Sequence, residues 1–283
     1  MSQPRILVFG NEKGGAGKST VAMHVGVHLL HQGHRVAFLD LDLRQRSLAR
    51  FFSNRRTWAA ANDKALPQAF EPFLHAKPAD LLHVPEAEAR AAFDRALEAA
   101  LDGADYVLID TPGGDHVLSR RAHAAAHMIV TPMNDSFIDF DLLGEVDPVT
   151  LDVKRPSIYA ETVWNSRKQR AVWDGKSIRW IVLRNRLAQL EARNRRRVDE
   201  RVQALGRRVG FEVLAGLRDR VIYRELFPFG LTVADLSEEV NPVAMSLSHV
   251  SARQELRALM ASLGLDRIDA AAVLPADLEA EEA

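Results

Sequence analysis

The chain has 283 residues, 47% of them hydrophobic, enough for one large core, and a formal net charge of −1. That balance excludes a global field toward nucleic acid or an anionic membrane, so any such affinity must come from a local patch. The absence of cysteine excludes disulfides, thiolate catalysis, zinc ribbons and cysteine-bound iron–sulfur clusters. Met1 to Arg5 lack a basic n-region, and no run of eighteen apolar residues goes uninterrupted by charge, so the expectation is a soluble cytoplasmic protein without a membrane anchor.

In chain order, apolar runs at Arg5 to Gly10, Arg35 to Asp40, Asp105 to Asp110, Met128 to Pro132 and Arg179 to Arg184 read as strands buried on both faces. Helices are expected between and after them at Lys18 to His31, Ser47 to Ala61, Pro85 to Leu101, Phe137 to Val146 and Glu191 to Val209. This alternation predicts an α/β fold: a doubly wound, mostly parallel sheet of the P-loop NTPase type with helices on both faces. Segments 62–79 and 155–177 lack regular periodicity and are read as loops or insertions. Residues 1–269 are expected to form one domain, and 270–283, rich in alanine and acid, a solvated tail.

After the first strand comes Asn11-Glu-Lys-Gly-Gly-Ala-Gly-Lys-Ser-Thr20, opening directly into a helix. Gly14, Gly15 and Gly17 lack the Cβ that would keep backbone N–H groups from turning inward around a phosphate, and the helix N-terminus adds its positive end. The cofactor-binding set is therefore Lys13, Gly14, Gly15, Ala16, Gly17, Lys18, Ser19 and Thr20, with ATP the expected ligand. Lys18 would reach the β- and γ-phosphates, and the Ser19 hydroxyl would bind Mg²⁺. A purely structural glycine turn is the alternative, disfavoured by the strand and helix on either side.

Two strands end in carboxylates, Asp40-Leu-Asp42 and Asp110-Thr-Pro-Gly113. Asp110 follows four apolar residues, as a Walker B aspartate does, and would hold Mg²⁺ through water, with Asp40 in the metal's outer shell; Gly113 fits a γ-phosphate-sensing D-x-x-G switch. The competing reading of Asp40 and Asp42 is simple strand termination, since aspartate favours turns.

The ordinary G-x-x-x-x-G-K-[ST] pattern is broken, because Glu12 replaces its first glycine while Lys13 is added. Lys13-Gly-Gly-Ala-Gly-Lys-Ser19 resembles the deviant Walker A loop of the ParA and MinD superfamily. Asp40 to Arg46, Asp110 to Asp115, Thr131 to Ser136, Val182 to Leu187 and Leu217 to Leu231 extend the likeness over nearly the whole chain to the MipZ family of division-site ATPases. The resemblance implies a slow ATPase that closes into an ATP-bound homodimer, with Lys13 crossing to the partner's phosphates. It also implies that Asp42 positions or activates the attacking water and that Asn185 recognises adenine, although capping or turn formation competes for Asn185. As partners it implies FtsZ, whose polymerisation the dimer blocks, the centromere-binding protein ParB, and non-specific chromosomal DNA that keeps dimers on the nucleoid.

Between Arg184 and Arg208 stand nine arginines and three acids. A helical projection that buries Val198, Val202, Leu205 and Val209 puts Arg193, Arg196 and Arg207 opposite the apolar stripe, with Arg197 and Arg208 on its flank. A solvated charged face is the bland reading; phosphate contact without base preference is the functional one. His24, His28 and His31 share one side of the first helix and are expected to be solvated. Tyr159, Trp164 and Trp173 are read as a partner-binding insertion or a satellite core. The acidic end of the chain argues against the basic amphipathic helix of membrane-bound relatives. Three function classes compete: a division switch, a partitioning ATPase acting on DNA or cargo, and a small-molecule P-loop enzyme, the last opposed by Lys13.

Overall fold

The computed structural model describes residues 3–72, 78–134, 143–146, 153–185, 202–240, 242 and 247–265. Its frame is a sheet of parallel strands in the order β2-β3-β1-β4-β7-β8: β1 (Arg5–Phe9), β2 (Val36–Asp40), β3 (Tyr106–Asp110), β4 (Met128–Asn134), β7 (Arg179–Asn185) and β8 (Glu212–Ala215). Side chains alternate across it. Leu7, Phe9, Phe38, Leu108, Val130 and Ile181 face one core with α1 (Lys18–His31), α2 (Ser47–Ala61) and the C-terminal helix Leu247–Leu263. Ile6, Val8, Leu39, Ile109, Ile129 and Val182 face the other, with α3 (Glu86–Gly103), α4 (Val117–Ala125) and α5 (Ile158–Asp174). Both faces are apolar because both are covered, the fold class that the uninterrupted apolar runs predict.

The strand expectations hold to within two residues, and α1 and α2 fall at their expected bounds. Three expectations need correction. Segment 155–177 is not a loop: it holds α5, started by Ser157, whose Oγ accepts from the Ala160 N–H at 3.0 Å, and stopped at Gly175 with φ 71°. Its inward positions follow helical spacing, but two are filled by Ser166 and Arg170, so no apolar stripe announces them. Arg170 is buried because its guanidinium donates to the Ala125 and Ala126 carbonyls at the end of α4.

The expected helix 137–146 is also wrong at its end. Gly144–Val146 forms β5, paired antiparallel with β6 (Val153–Pro156), while 137–142 lie outside the described residues. His24, finally, is buried rather than solvated; its Nδ1 lies 2.8 Å from the Thr20 carbonyl and its ring meets Tyr223 edge-on. The reason is that α1 is covered on nearly every side, so a single apolar stripe does not describe it. In segment 62–79, expected to be irregular, Phe70 extends the sheet edge through backbone bonds to Val36 and Phe38. Among the described residues no helix is long and apolar enough to cross a membrane.

Candidate nucleotide site

Parallel register sets the site. Phe9 pairs with Asp110, and Asp110 with Asp40, so the loops after β1, β2 and β3 leave the sheet side by side at its carboxyl edge. Between β1 and α1 the chain turns through Gly15 and Gly17 at φ 74° and 94°, a region that residues with a Cβ rarely adopt, and Gly17 opens α1. Asn11 fixes the start of the loop: its Nδ2 donates to the Pro132 carbonyl at 2.6 Å and its Oδ1 accepts from the Lys13 N–H at 3.1 Å. Gly14 and Gly15 are exposed, as a ligand cradle requires.

The Lys18 ammonium donates to the Lys13 carbonyl at 3.0 Å and is buried. Burial lowers its pKa, while Asp110 and Asp42 oppose that shift, so both carboxylates lie within its field. Ser19 Oγ donates to Asp110 Oδ2 at 2.5 Å, whereas the other oxygen, Oδ1, is buried without a hydrogen-bond partner among the described residues. Burial raises the Asp110 pKa, and nearby Asp40 raises it further. An orphaned carboxylate oxygen beside a second acid and a serine hydroxyl fits an oxygen-liganded cation such as Mg²⁺. Among the described residues no group of three or more histidines and acids could form a cage, so a cation here would need phosphate and water oxygens as well.

Asp40 sits beneath this centre. Its Oδ1 accepts from the Asp42 N–H at 3.1 Å and its Oδ2 from the Ala49 N–H at 3.0 Å, which ties the end of β2 to the first turn of α2. Burial raises its pKa as well. Asp42 is half-buried and opens a tight turn: its Oδ1 accepts from Gln45 N–H at 3.1 Å and its carbonyl from Arg46, which adopts φ 47°. Gly113 touches the phosphate loop so closely that a Cβ there would lie 3.0 Å from the Glu12 carbonyl. Asp115 instead pairs with Arg120 at 2.6 Å.

Asn185, at the end of β7, also reaches the loop, donating from Nδ2 to the Ala16 carbonyl at 3.1 Å. The structure thus gathers Lys13 to Thr20, Asp40, Asp42, Asp110 and Asn185 at one edge. Arg207 and Arg208 are exposed on the helical residues 202–209, whereas Arg193, Arg196 and Arg197 lie outside the described residues.

Sequence reasoning missed His123 and did not place Tyr159 at this site. A Cβ on Gly10 would stand 2.5 Å from His123 Nε2 and 2.9 Å from the Tyr159 hydroxyl, so these two back the loop where it leaves β1. The hydroxyl lies 3.1 Å from both His123 Nε2 and Thr131 Oγ1, which in turn accepts from Trp180 Nε1. The only sequence signal was an aromatic residue in a segment read as irregular.

Comparison with known proteins agrees with the fold. The fold is similar to that of Cyanothece McdA in complex with ATP (TM-score 0.61, 16% identity, 95% of this chain and 99% of that one). The cell-division ATPase MinD of Pyrococcus furiosus is another neighbour (0.51, 17%, 92% and 99%). At the sequence level the chain is 31% identical to VirC1 of Rhizobium radiobacter, over 48% of this chain and 52% of the relative. It is 30% identical to the chromosome-partitioning ATPase Soj of Thermus thermophilus, over 47% and 56%. The chain thus spans about half the length of these curated relatives. The model of the ATPase MipZ family, by contrast, matches residues 5–267, nearly the whole length, and the chain belongs to that family.

Proposed function

We propose that this protein is an ATP-driven dimerising switch that positions the division site by inhibiting FtsZ polymerisation, while binding ParB and non-specific DNA on the nucleoid in the cytoplasm. One observation carries the reading: a phosphate loop bearing both Lys13 and Lys18 in a chain matched over residues 5–267 by the MipZ family model.

In this reading the N–H groups of Gly14 to Lys18 and the start of α1 hold the phosphates, and the Lys18 ammonium leaves the Lys13 carbonyl for the β- and γ-oxygens. Ser19 and Asp110 would hold Mg²⁺, with Asp40 behind them. When bound, the ion neutralises charge on the phosphate oxygens. Lys13 reaches the partner's nucleotide, and Asp42 orients a water for attack on the γ-phosphorus. The bond between that phosphorus and the oxygen bridging it to ADP breaks, giving ADP, phosphate and a proton. Slow turnover makes the dimer a timer.

The test is sedimentation of FtsZ polymers with ATP and either the parent or Lys18→Ala. Loss of polymer with the parent alone is expected; full polymer in both would overturn the division role. The similarity to Soj favours a second reading, DNA or cargo partitioning without a division role, and that outcome would select it.

A further inference from the structure

We propose that the outer face of α5 is a docking surface for an extended peptide segment of another protein, one that carries a carboxylate beside an apolar side chain. The inward positions of this helix, Tyr159, Val163, Ser166 and Arg170, belong to the interior. Its tryptophans do not: Trp164 is 57% and Trp173 74% exposed. With Ile158 and Val172 they make four of the seven exposed large hydrophobic side chains among the described residues, all on one helix of 17 residues. Scattered singly, such residues need no explanation; grouped on one element, they mark a surface that another molecule covers. A solvated helix face would carry charge pairs instead. Here the exposed positions from Ile158 to Trp173 hold one acid, Glu161, and one base, Lys168.

Beside this face lies a groove of about 630 Å³, lined by Asn165, Lys168, Gln169 and Val172 of α5 and by Arg120 of α4. Arg120 is already engaged by Asp115. Lys168 has no partner among the described residues, and the positions three and four away, Trp164, Asn165, Ala171 and Val172, are uncharged. The side chains of Asn165 and Gln169 are likewise without a hydrogen-bond partner among the described residues. Each carboxamide offers a donor and an acceptor, the complement of a peptide unit. The two stand four residues apart, about 6 Å along the helix axis. Alternate residues of an extended chain repeat at about 6.6 Å, so one strand of peptide can meet both amides with its main chain. Its carboxylate would then lie on the Lys168 ammonium and its apolar side chain on Val172. A helical partner would arrive with its main chain already bonded and leave the amides unmatched. Nucleic acid would ask for more than one free cation.

The experiment pans the parent protein with a phage-displayed library of random dodecapeptides. The enriched sequences are then titrated, as free labelled peptides, against the parent, Lys168→Glu, and a double variant with Asn165→Ala and Gln169→Ala. All three positions are exposed, so the substitutions leave the interior as it is. Enriched peptides should hold Asp or Glu beside an aliphatic or aromatic side chain, and their affinity should fall by about tenfold or more in each variant. Exchanging the peptide's acid for lysine should restore binding to Lys168→Glu, which a general loss of fold would not allow. Enrichment of no acid-bearing peptide, or undiminished affinity in either variant, would overturn the proposal. So would light scattering that finds the nucleotide-free parent oligomeric and Trp173→Glu monomeric, since the face would then belong to a second copy of the chain.

Discussion

The Lys18 ammonium, held by the Lys13 carbonyl at 3.0 Å, is a charge waiting on a weaker partner than a triphosphate. In the proposed reading, exchange of that carbonyl for charged phosphate oxygens would be a main source of ATP affinity in this loop. Lys18→Ala is therefore expected to abolish ATP binding, and a direct titration with retained affinity would refute it. Lys13 has a different part in the proposed reading, since its backbone serves its own loop while its side chain would reach the partner's nucleotide. Lys13→Ala should bind ATP yet stay monomeric in light scattering. Asp110 offers a sharper discrimination. Asp110→Asn preserves an acceptor for Ser19 but removes the charge, so ATP affinity should lose its dependence on Mg²⁺ while affinity in excess chelator changes little. Equal stimulation of both proteins by Mg²⁺ would move the cation elsewhere.

At the scale of elements, α2 is held at its first turn and at its middle by buried ionisable side chains. Asp40 caps its first turn, and Arg55 on its inner face makes a two-pronged pair with Asp235 at 2.9 and 2.7 Å, both side chains at 0% exposure. Arg55 also donates to the carbonyls of Pro67 and Gly230, and His31 joins Asp235 from α1 at 2.7 Å. Burial alone would raise the Asp235 pKa, but hydrogen bonds from His31 and Arg55 outweigh it and hold the carboxyl at about 2. A depressed carboxyl stabilises the fold above its unfolded value near 4, and that contribution, on the order of 2 kcal/mol, is lost as pH falls through 2. Arg55→Met should therefore cost roughly 3–5 kcal/mol at pH 7, because Asp235 is left charged and buried. The deficit should narrow between about pH 5 and 2. Urea midpoints across that range test it, and a pH-independent deficit would mean that Arg55 acts by packing alone.

What was legible in the sequence follows from the same physics. Strands buried on both faces and a glycine loop are written in residue types that have few other uses, so five of the six strands, α1, α2 and the phosphate loop could be read directly, whereas the partly exposed edge strand β8 was missed. Helix α5 was hidden because Ser166 and Arg170 occupy inward positions, and their burial is tolerable only once Thr162, Ala125 and Ala126 supply acceptors that no local pattern reveals. Asp40 was read at the right place, but its bonds to Asp42 and Ala49 depend on how α2 leaves β2. His24 needed knowledge of Tyr223, nearly two hundred residues away.

At the scale of the whole molecule, the proposed switch needs two copies, and its cycle turns on Asp42. The half-buried carboxylate accepts from the Gln45 N–H within its own turn, outside the phosphate loop, and lies within the field of the Lys18 ammonium. Asp42→Ala should accordingly bind ATP and dimerise as the parent does, while hydrolysis falls by roughly a hundredfold or more, the scale for losing a positioned acid–base group. The dimer would then accumulate. In the proposed reading Arg193, Arg196, Arg197 and Arg207 of two copies meet DNA together only in that dimer, so the variant should stay on DNA longer, with a gain that shrinks steeply as salt rises. Adding Arg193→Ala and Arg196→Ala should abolish DNA binding and leave the ATP-locked dimer intact by light scattering. Parental turnover in Asp42→Ala would pass the catalytic role to Asp40 or Asp115. A triple variant that still shifts DNA at low salt would return the arginines to an ordinary solvated face, and the switch would have to hold the nucleoid through another surface.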